Sequence, residues 1–257
     1  MDCFIHEDKK YFPEYSWFEK AISYPYEAPA SSFTFKNGKF YQGIHISLKD
    51  RVPIISIGSN RSPYQLKNKF GVEENLCVTP AKLYNSVIVY AASMSAYGSI
   101  PATQWPCEGS VSDLNLIWLK KDQLQIMHLS EGLGIAYNYV ELDRDTVILQ
   151  EEDYSGPIFG YVSTKGVYLF EGNSPLRLKN IKTNINNSSS INEYEALNKL
   201  FLENSYGQTS LECWLKKLIS NKSQRLLLIE KMSKKSLLPK NVPWKILDFK
   251  VTGNNIY

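Results

Sequence analysis

The run Ile54-Ile55-Ser56-Ile57-Gly58-Ser59-Asn60-Arg61-Ser62-Pro63 leaves the chain few choices of local structure. Ile54, Ile55 and Ile57 are β-branched and apolar, which suits a strand covered on both faces. Gly58 lets the backbone turn where a side chain would obstruct it. Ser62 fits an N-cap and Pro63 the first helical position. Gln65, three residues after Ser62, completes a capping-box pattern. Leu66 and Phe70 share one face of the helix that follows, and Gly71 can end it. A strand, a small-residue turn and a helix start are therefore expected in that order. The N–H groups leading such a turn are suited to a carboxylate or a developing oxyanion, so Gly58, Ser59 and Asn60 are candidate anion-binding residues.

The length of 257 residues suits one large domain or one domain with extensions, and 43% of the residues are hydrophobic, enough for a real core. A net charge of only +3 gives no electrostatic case for a nucleic-acid partner. The four cysteines (Cys3, Cys77, Cys107, Cys213) and three histidines (His6, His45, His128) are scattered, without zinc-ligand spacing, so no metal is expected. Met1 to Lys10 lacks the basic flank and apolar run of a secretory signal, and no stretch approaches a membrane span. The expectation is a cytoplasmic protein with reduced thiols.

Three segments are expected: an N-terminal extension over 1–37, a strand-rich domain over 38–183, and a linker with a basic helical extension over 184–257. The prolines of Tyr24-Pro25-Tyr26-Glu27-Ala28-Pro29 suggest an extended segment lying on the domain. Asn37-Gly38 between aromatic runs predicts a hairpin. Short strands are expected at Val87–Ala92, Ile100–Thr103 and Asn115–Leu119. Further hairpins are expected from Tyr139–Leu142 with Val147–Leu149, and from Phe159–Val162 with Val167–Phe170. Many short strands with regular turns suggest a small barrel or a strongly curved sheet, hence an α+β fold. The Asn/Ser tract from Asn184 to Asn192 reads as a flexible linker, and helical spacing follows at Glu195–Leu202, Leu211–Ile219 and Leu226–Met232. Lysines crowd Lys216 to Lys240, where a basic tail could reach a protein partner, although such lysines usually form the solvated face of packed helices.

A helix is also expected from about Asp122, with Leu124 and Met127 on one face and Gly132 and Gly134 as its stop. Glu131 then sits in the last turn, near the negative end of the dipole. If buried there, its pKa would rise toward neutrality, as a general base and proton shuttle requires. Cys107 beside Pro106, paired with His128, is a weaker candidate for thiol chemistry.

The order of these motifs resembles the gamma-glutamylcyclotransferase-like family. The Gly58-Ser59-Asn60 turn is followed by Tyr97-Gly98-Ser99-Ile100-Pro101-Ala102-Thr103, by Glu108-Gly109, by Leu116-Ile117-Trp118-Leu119, and by Glu131-Gly132. The resemblance covers roughly Phe40 to Leu178. It departs at Ile57, where the family usually carries tyrosine. It implies a mixed β-barrel with outer helices and a small-molecule γ-glutamyl substrate. It also implies an enzyme that converts a γ-glutamyl amine or peptide to 5-oxoproline without cofactor. Glu131 is the implied catalytic residue. Ile57, Gly58, Ser59, Asn60, Arg61, Tyr97, Gly98 and Tyr137 are the expected substrate-binding set. The alternative is a non-catalytic anion-binding or regulatory module on the same scaffold, toward which Ile57 leans.

Overall fold

The computed structural model describes residues 9–37, 39–71, 73–150, 153–170, 174–186, 189–205 and 207–247, with the backbone pairs 251–252 and 255–256. The elements in chain order are α1 (Trp17–Ile22), β1 (Phe33–Lys36), β2 (Lys39–Gln42), β3 (Val52–Ser56), α2 (Pro63–Phe70), β4 (Leu76–Tyr90), β5 (Ala102–Leu119) and α3 (Lys121–Glu131). They continue with β6 (Tyr137–Leu142), β7 (Val147–Leu149), β8 (Phe159–Ser163), β9 (Val167–Tyr168), β10 (Arg177–Leu178) and β11 (Ser190–Ile191). The C-terminal part contains α4 (Glu193–Asn204), α5 (Leu211–Ser220), α6 (Lys222–Lys234), β12 (Ser236–Leu237) and β13 (Trp244–Ile246).

The architecture is α+β, built on a mixed 11-stranded sheet with the order β11-β10-β4-β5-β3-β8-β6-β13. The β1–β2 hairpin and β7 attach to β4 beside that path. The order has two ends, so these pairings do not close the expected barrel. The long antiparallel ladder of β4 with β5 is the spine. Its register shifts between Tyr84 and Ser86, where Asn85 and Gly109 take positive φ values of 56° and 74° and the Gly109 N–H donates to Asn85 Oδ1 at 2.9 Å. A bulge of that kind bends the pair, so the strands curve without a break. The free edge of β4 is covered successively by β1, β7 and β10.

Alternate residues of the spine feed two cores. Ile54, Val78, Ile117 and Leu119 pack with Leu66 and Phe70 of α2, Met127 of α3, and the hairpin aromatics Phe33, Phe35 and Phe40. Ile55, Leu114, Leu116 and Trp118 pack on the other face with Ala21, Tyr24, and residues of α4 and α5 such as Leu197, Leu200, Trp214 and Leu215. Strand β3 is thus covered on both faces, as its isoleucines require.

Several expectations need correction. The strands read at Val87–Ala92, Ile100–Thr103 and Asn115–Leu119 belong to two much longer ones, because the bulge keeps both chains paired through their polar middle. Neither later hairpin forms: β6 pairs with β8 and β13, β7 with β4, and β9 with β12. A short 3-10 turn at Arg144–Thr146 redirects the chain between β6 and β7, so turn residues there connect different partners. The N-terminal segment is not merely extended on the surface. Ser16 caps α1 with a full capping box, and Tyr24 and Tyr26 are buried. The expected capping box does not form: the Ser62 side chain makes no cap hydrogen bond, and the Ser62 N–H that Gln65 would accept from is already given to Ser59 O of the preceding 3-10 turn. Within the Asn/Ser tract, Ser190–Ile191 pairs with β10 and Asn192 caps α4, while residues 187–188 lie outside the described residues. Cys3 and His6 also lie outside them. The Asn37 hairpin turn forms with φ 51°, and the three C-terminal helices form where their spacing predicts. No helix among the described residues is long and apolar enough to cross a membrane.

Candidate functional site

A cavity of about 470 Å³ opens where β3 ends. Its walls are the Ile57–Asn60 turn, the ends of α2 and α3, the loop between β4 and β5, and Tyr137 and Tyr161 from β6 and β8. Leu66 and Phe70 of α2 and Met127 of α3 share one core, which sets the two helices side by side. Lys69, in the last turn of α2, therefore meets Glu131 at the end of α3.

Glu131 is held from two directions. Asn60 Nδ2 donates to Glu131 Oε1 at 2.9 Å, and Lys69 Nζ donates to the same oxygen at 2.5 Å. Lys69 also donates to Asn60 Oδ1 at 2.7 Å, closing a three-residue ring. The Lys69 and Glu131 side chains are 6% and 15% exposed, so the pair is shielded while the carboxylate keeps some access to the cavity. Oε2 has no hydrogen bond to the described residues. Gly132 follows with φ 60°, in the left-handed conformation that ends the helix and frees Glu131 to face the cavity. Glu131 thus gains a cation that offsets the unfavourable dipole end, and the expected burial of an isolated carboxylate is not what the fold provides.

The turn itself is a close fit. A β-carbon on Gly58 would lie 2.1 Å from Tyr24 Oη and 3.1 Å from Tyr24 Cζ. Tyr24 cannot retreat easily, because its hydroxyl accepts the Ala102 N–H at 2.9 Å. Glycine is required here by close approach. Ser59 and Asn60 open a 3-10 turn whose leading N–H groups have no partner within it.

Three phenols converge on the same space. The Tyr97 hydroxyl lies close to the side chains of Ser59 and Tyr26, and Tyr26 Oη donates to Lys20 O at 3.1 Å. Burial first, and the Glu131 carboxylate second, push Tyr97 up to about 12. Burial, with Glu131 adding to it, also holds Tyr137 and Tyr161 well above the usual phenol range. All three are neutral donors at physiological pH. Tyr137 Oη is committed to Ala102 O at 2.8 Å, and Tyr161 Oη to His128 Nδ1 at 2.7 Å. Tyr97 is better placed to turn toward a ligand. Lys20 of α1 also lines the cavity, its ammonium 5.2 Å from the Tyr97 ring centre.

Of the residues singled out in the sequence, Ile57, Gly58, Ser59, Asn60, Tyr97, Glu131 and Tyr137 share this cavity. Arg61 and Gly98 do not. The 3-10 turn rotates Arg61 away to a second cavity, and Gly98 packs against α1 and α5, where an added β-carbon would stand 3.5 Å from Ala21 Cβ and 3.1 Å from Ile219 Cδ1. Cys107 and His128 belong to different parts of the core: Cys107 packs on Val87, Val89 and Val167, and His128 contacts Tyr139 and Tyr161. No group of three or more His, Cys, Asp or Glu side chains gathers among the described residues.

Sequence reasoning missed Lys69, Tyr24 and Lys20. Nothing local separates Lys69 from Lys67, since either suits the last turn of a helix. Tyr24 and Lys20 enter only because the N-terminal segment folds back onto the turn.

No protein-family model and no curated protein matches the chain. Among solved structures, a gamma-glutamyl cyclotransferase matches at 16% identity and a TM-score of 0.37, over 44% of this chain and 67% of that one. A likeness of that size carries no chemistry, which has to rest on the residues in the cavity.

Proposed function

We propose that the protein is an enzyme of the γ-glutamyl cyclotransferase kind, with Glu131 as its proton shuttle. The observation that carries this reading is the Glu131 carboxylate, held through one oxygen by Asn60 of the turn and exposed to the cavity through the rest. A γ-glutamyl amide contains its own nucleophile. Its α-amine can reach the γ-carbonyl within one molecule, so the cavity mainly selects the folded conformer. Glu131 Oε2 accepts a proton from the α-ammonium. The freed amine attacks the γ-carbon, forming the new C–N bond and a tetrahedral oxyanion. Glu131 then returns that proton to the leaving nitrogen and takes a second one from the ring nitrogen; the oxyanion collapses as the original C–N bond breaks, the second proton passes to the departing amine, and 5-oxoproline and an ammonium product result. The turn N–H groups and the Tyr97 hydroxyl are the donors for the substrate carboxylate and the oxyanion. Lys69 and Asn60 fix the position of Oε1, which leaves Oε2 as the oxygen that faces the substrate.

The test is release of 5-oxoproline from a panel of γ-glutamyl amino acids, peptides and amines. Wild-type protein is expected to release the lactam, and Glu131→Gln to lose roughly 10²–10⁴-fold in rate, the usual worth of a positioned acid–base group. Equal rates in the two proteins would remove Glu131 from the mechanism.

The Lys69–Glu131 pair also favours a second reading. A carboxylate already satisfied by an internal ammonium suits a non-catalytic module that binds γ-glutamyl compounds without turning them over. That reading predicts calorimetric binding with no lactam from any member of the panel.

A further inference from the structure

Arg61 stands on the far side of the turn that holds Glu131, in a cavity of about 460 Å³ between the Pro25–Ala30 segment and the strands β4 and β5. Arg51 shows how the protein satisfies a guanidinium in its interior. Arg51 donates through Nε to Ser47 O and through Nη1 to Asn75 O, Trp118 O and Gln123 Oε1, at 3.0–3.2 Å. Arg61 has one such contact, from Nη1 to Asp113 O at 3.3 Å. Its Nε is sealed from solvent and has no hydrogen-bond partner, and no carboxylate among the described residues lies within ion-pair distance. Burial pulls its pKa down to about 10, opposed by the more distant Asp113 and Glu27. Arg61 is half-buried, with Nε sealed and the Nη1 contact near solvent, and a guanidinium held this way without a counter-charge is unfavourable for the fold.

The other charges around this cavity do not relieve it. Asp113 pairs with Lys82 at 3.6 Å, and Glu27 with Lys10 at 3.8 Å. Lys182 on the cavity wall has no carboxylate within that range among the described residues, so two cations, Arg61 and Lys182, are left over. Asn115, fully buried on the same wall, has an Oδ1 without a donor. Unsatisfied polar groups of this kind are rare in protein interiors unless something pairs with them.

We propose that this second cavity is a binding site for a small oxyanion, a phosphate or a carboxylate, gripped by Arg61 and Lys182. Guanidinium suits either group through paired N–H donors. Asn115 would accept from a hydroxyl or amide N–H on the same ligand. Arg61 directly follows Asn60, so an occupant here adjoins the residue that orients Glu131. The site does not depend on the cyclotransferase reading.

The experiment is calorimetric titration of the full chain with sodium phosphate and with sodium succinate, at constant ionic strength. Wild type is expected to bind one or both at a single site, and the responding probe identifies the anion class. Arg61→Gln is expected to weaken binding by about tenfold or more, the scale of a charge-assisted contact. Lys182→Gln is expected to weaken it by a smaller factor, and Glu131→Gln to leave it unchanged. In anion-free buffer Arg61→Met is expected to melt above wild type, because it removes an unpaired, half-buried charge; a purely structural arginine would melt lower. The proposal falls if neither probe binds wild type, or if Glu131→Gln abolishes binding that Arg61→Gln retains. Should Arg61→Gln fail to fold, undiminished affinity in Lys182→Gln overturns it instead.

Discussion

Gly58 and Tyr24 illustrate how far apart two dependent residues can lie in the sequence. The turn needs glycine because a tyrosine hydroxyl from the N-terminal segment occupies the place of its side chain. Gly58→Ala is expected to destabilise the protein by about 1–3 kcal/mol in urea unfolding, the usual cost of overpacking. Adding Tyr24→Phe should recover part of this by removing the clashing oxygen, though it leaves the Ala102 N–H without its acceptor. Additive losses in the double variant would mean that the two residues do not oppose each other. Lys69 is the second residue-scale case. Lys69→Met removes one of the two donors to Glu131 Oε1, and lactam release should fall by about tenfold or more, the scale of a charge-assisted contact. An unchanged rate would show that the ion pair does not position the shuttle. Glycine at 58 and glutamate at 131 were legible as candidates because each has a local signature. Lysine at 69 was not, because its role exists only where two helix ends meet.

At the scale of elements, α3 and α4 each carry a buried ionisable group with a predictable effect of pH. His128 on α3 is almost fully buried, and burial lowers its pKa to about 4. In the unfolded chain histidine takes up a proton near pH 6.5, whereas the folded state does not until about pH 4. The unfolded state thus binds more protons across that window, so this stabilisation is complete above it and is lost as pH falls through it, by up to about 3 kcal/mol. His128→Phe should flatten this dependence. Glu193 at the start of α4 behaves oppositely. Its Oε1 accepts the Ile100 N–H at 2.6 Å, and full burial raises its pKa well above the usual carboxylate range. The folded state retains a proton that the unfolded chain releases above about pH 4.5, so this contribution falls as pH rises. Glu193→Gln preserves the acceptor for Ile100 and should raise the melting temperature at neutral pH. A lower melting temperature would mean that the charged form is accommodated after all. Helical spacing marked both helices, and Gly132 marked the end of α3, while the Asn192 cap of α4 went unread within the Asn/Ser tract. The sequence did not mark the burial of these two side chains, which depends on what each helix is packed against.

For the whole molecule, the C-terminal helices are part of the core rather than an appendage. Ala196, Leu197, Leu200, Leu211, Trp214 and Leu215 lie in the same cluster as Ile55, Leu116 and Trp118. Burial of a large apolar side chain contributes about 1.5–3 kcal/mol, so losing this set removes on the order of 10 kcal/mol, comparable with the whole stability of a domain. A chain ending at Asn186 is therefore expected to show no cooperative thermal transition. A sharp transition in that fragment would establish that the strand-rich part folds alone. The sequence by itself determined the elements whose signals are local: the isoleucine strand, its glycine turn, the proline-led helix, the Asn37 hairpin and the C-terminal helices. Backbone preference and hydrophobic period act within a few residues, so one chain suffices to read them. Tertiary structure alone decided which strands pair, that the expected barrel pairing stays open, that Arg61 leaves the cavity its neighbours line, and that Lys69 joins Glu131. Each of these depends on the side-chain partner that arrives from distant sequence, and no local pattern encodes that arrival.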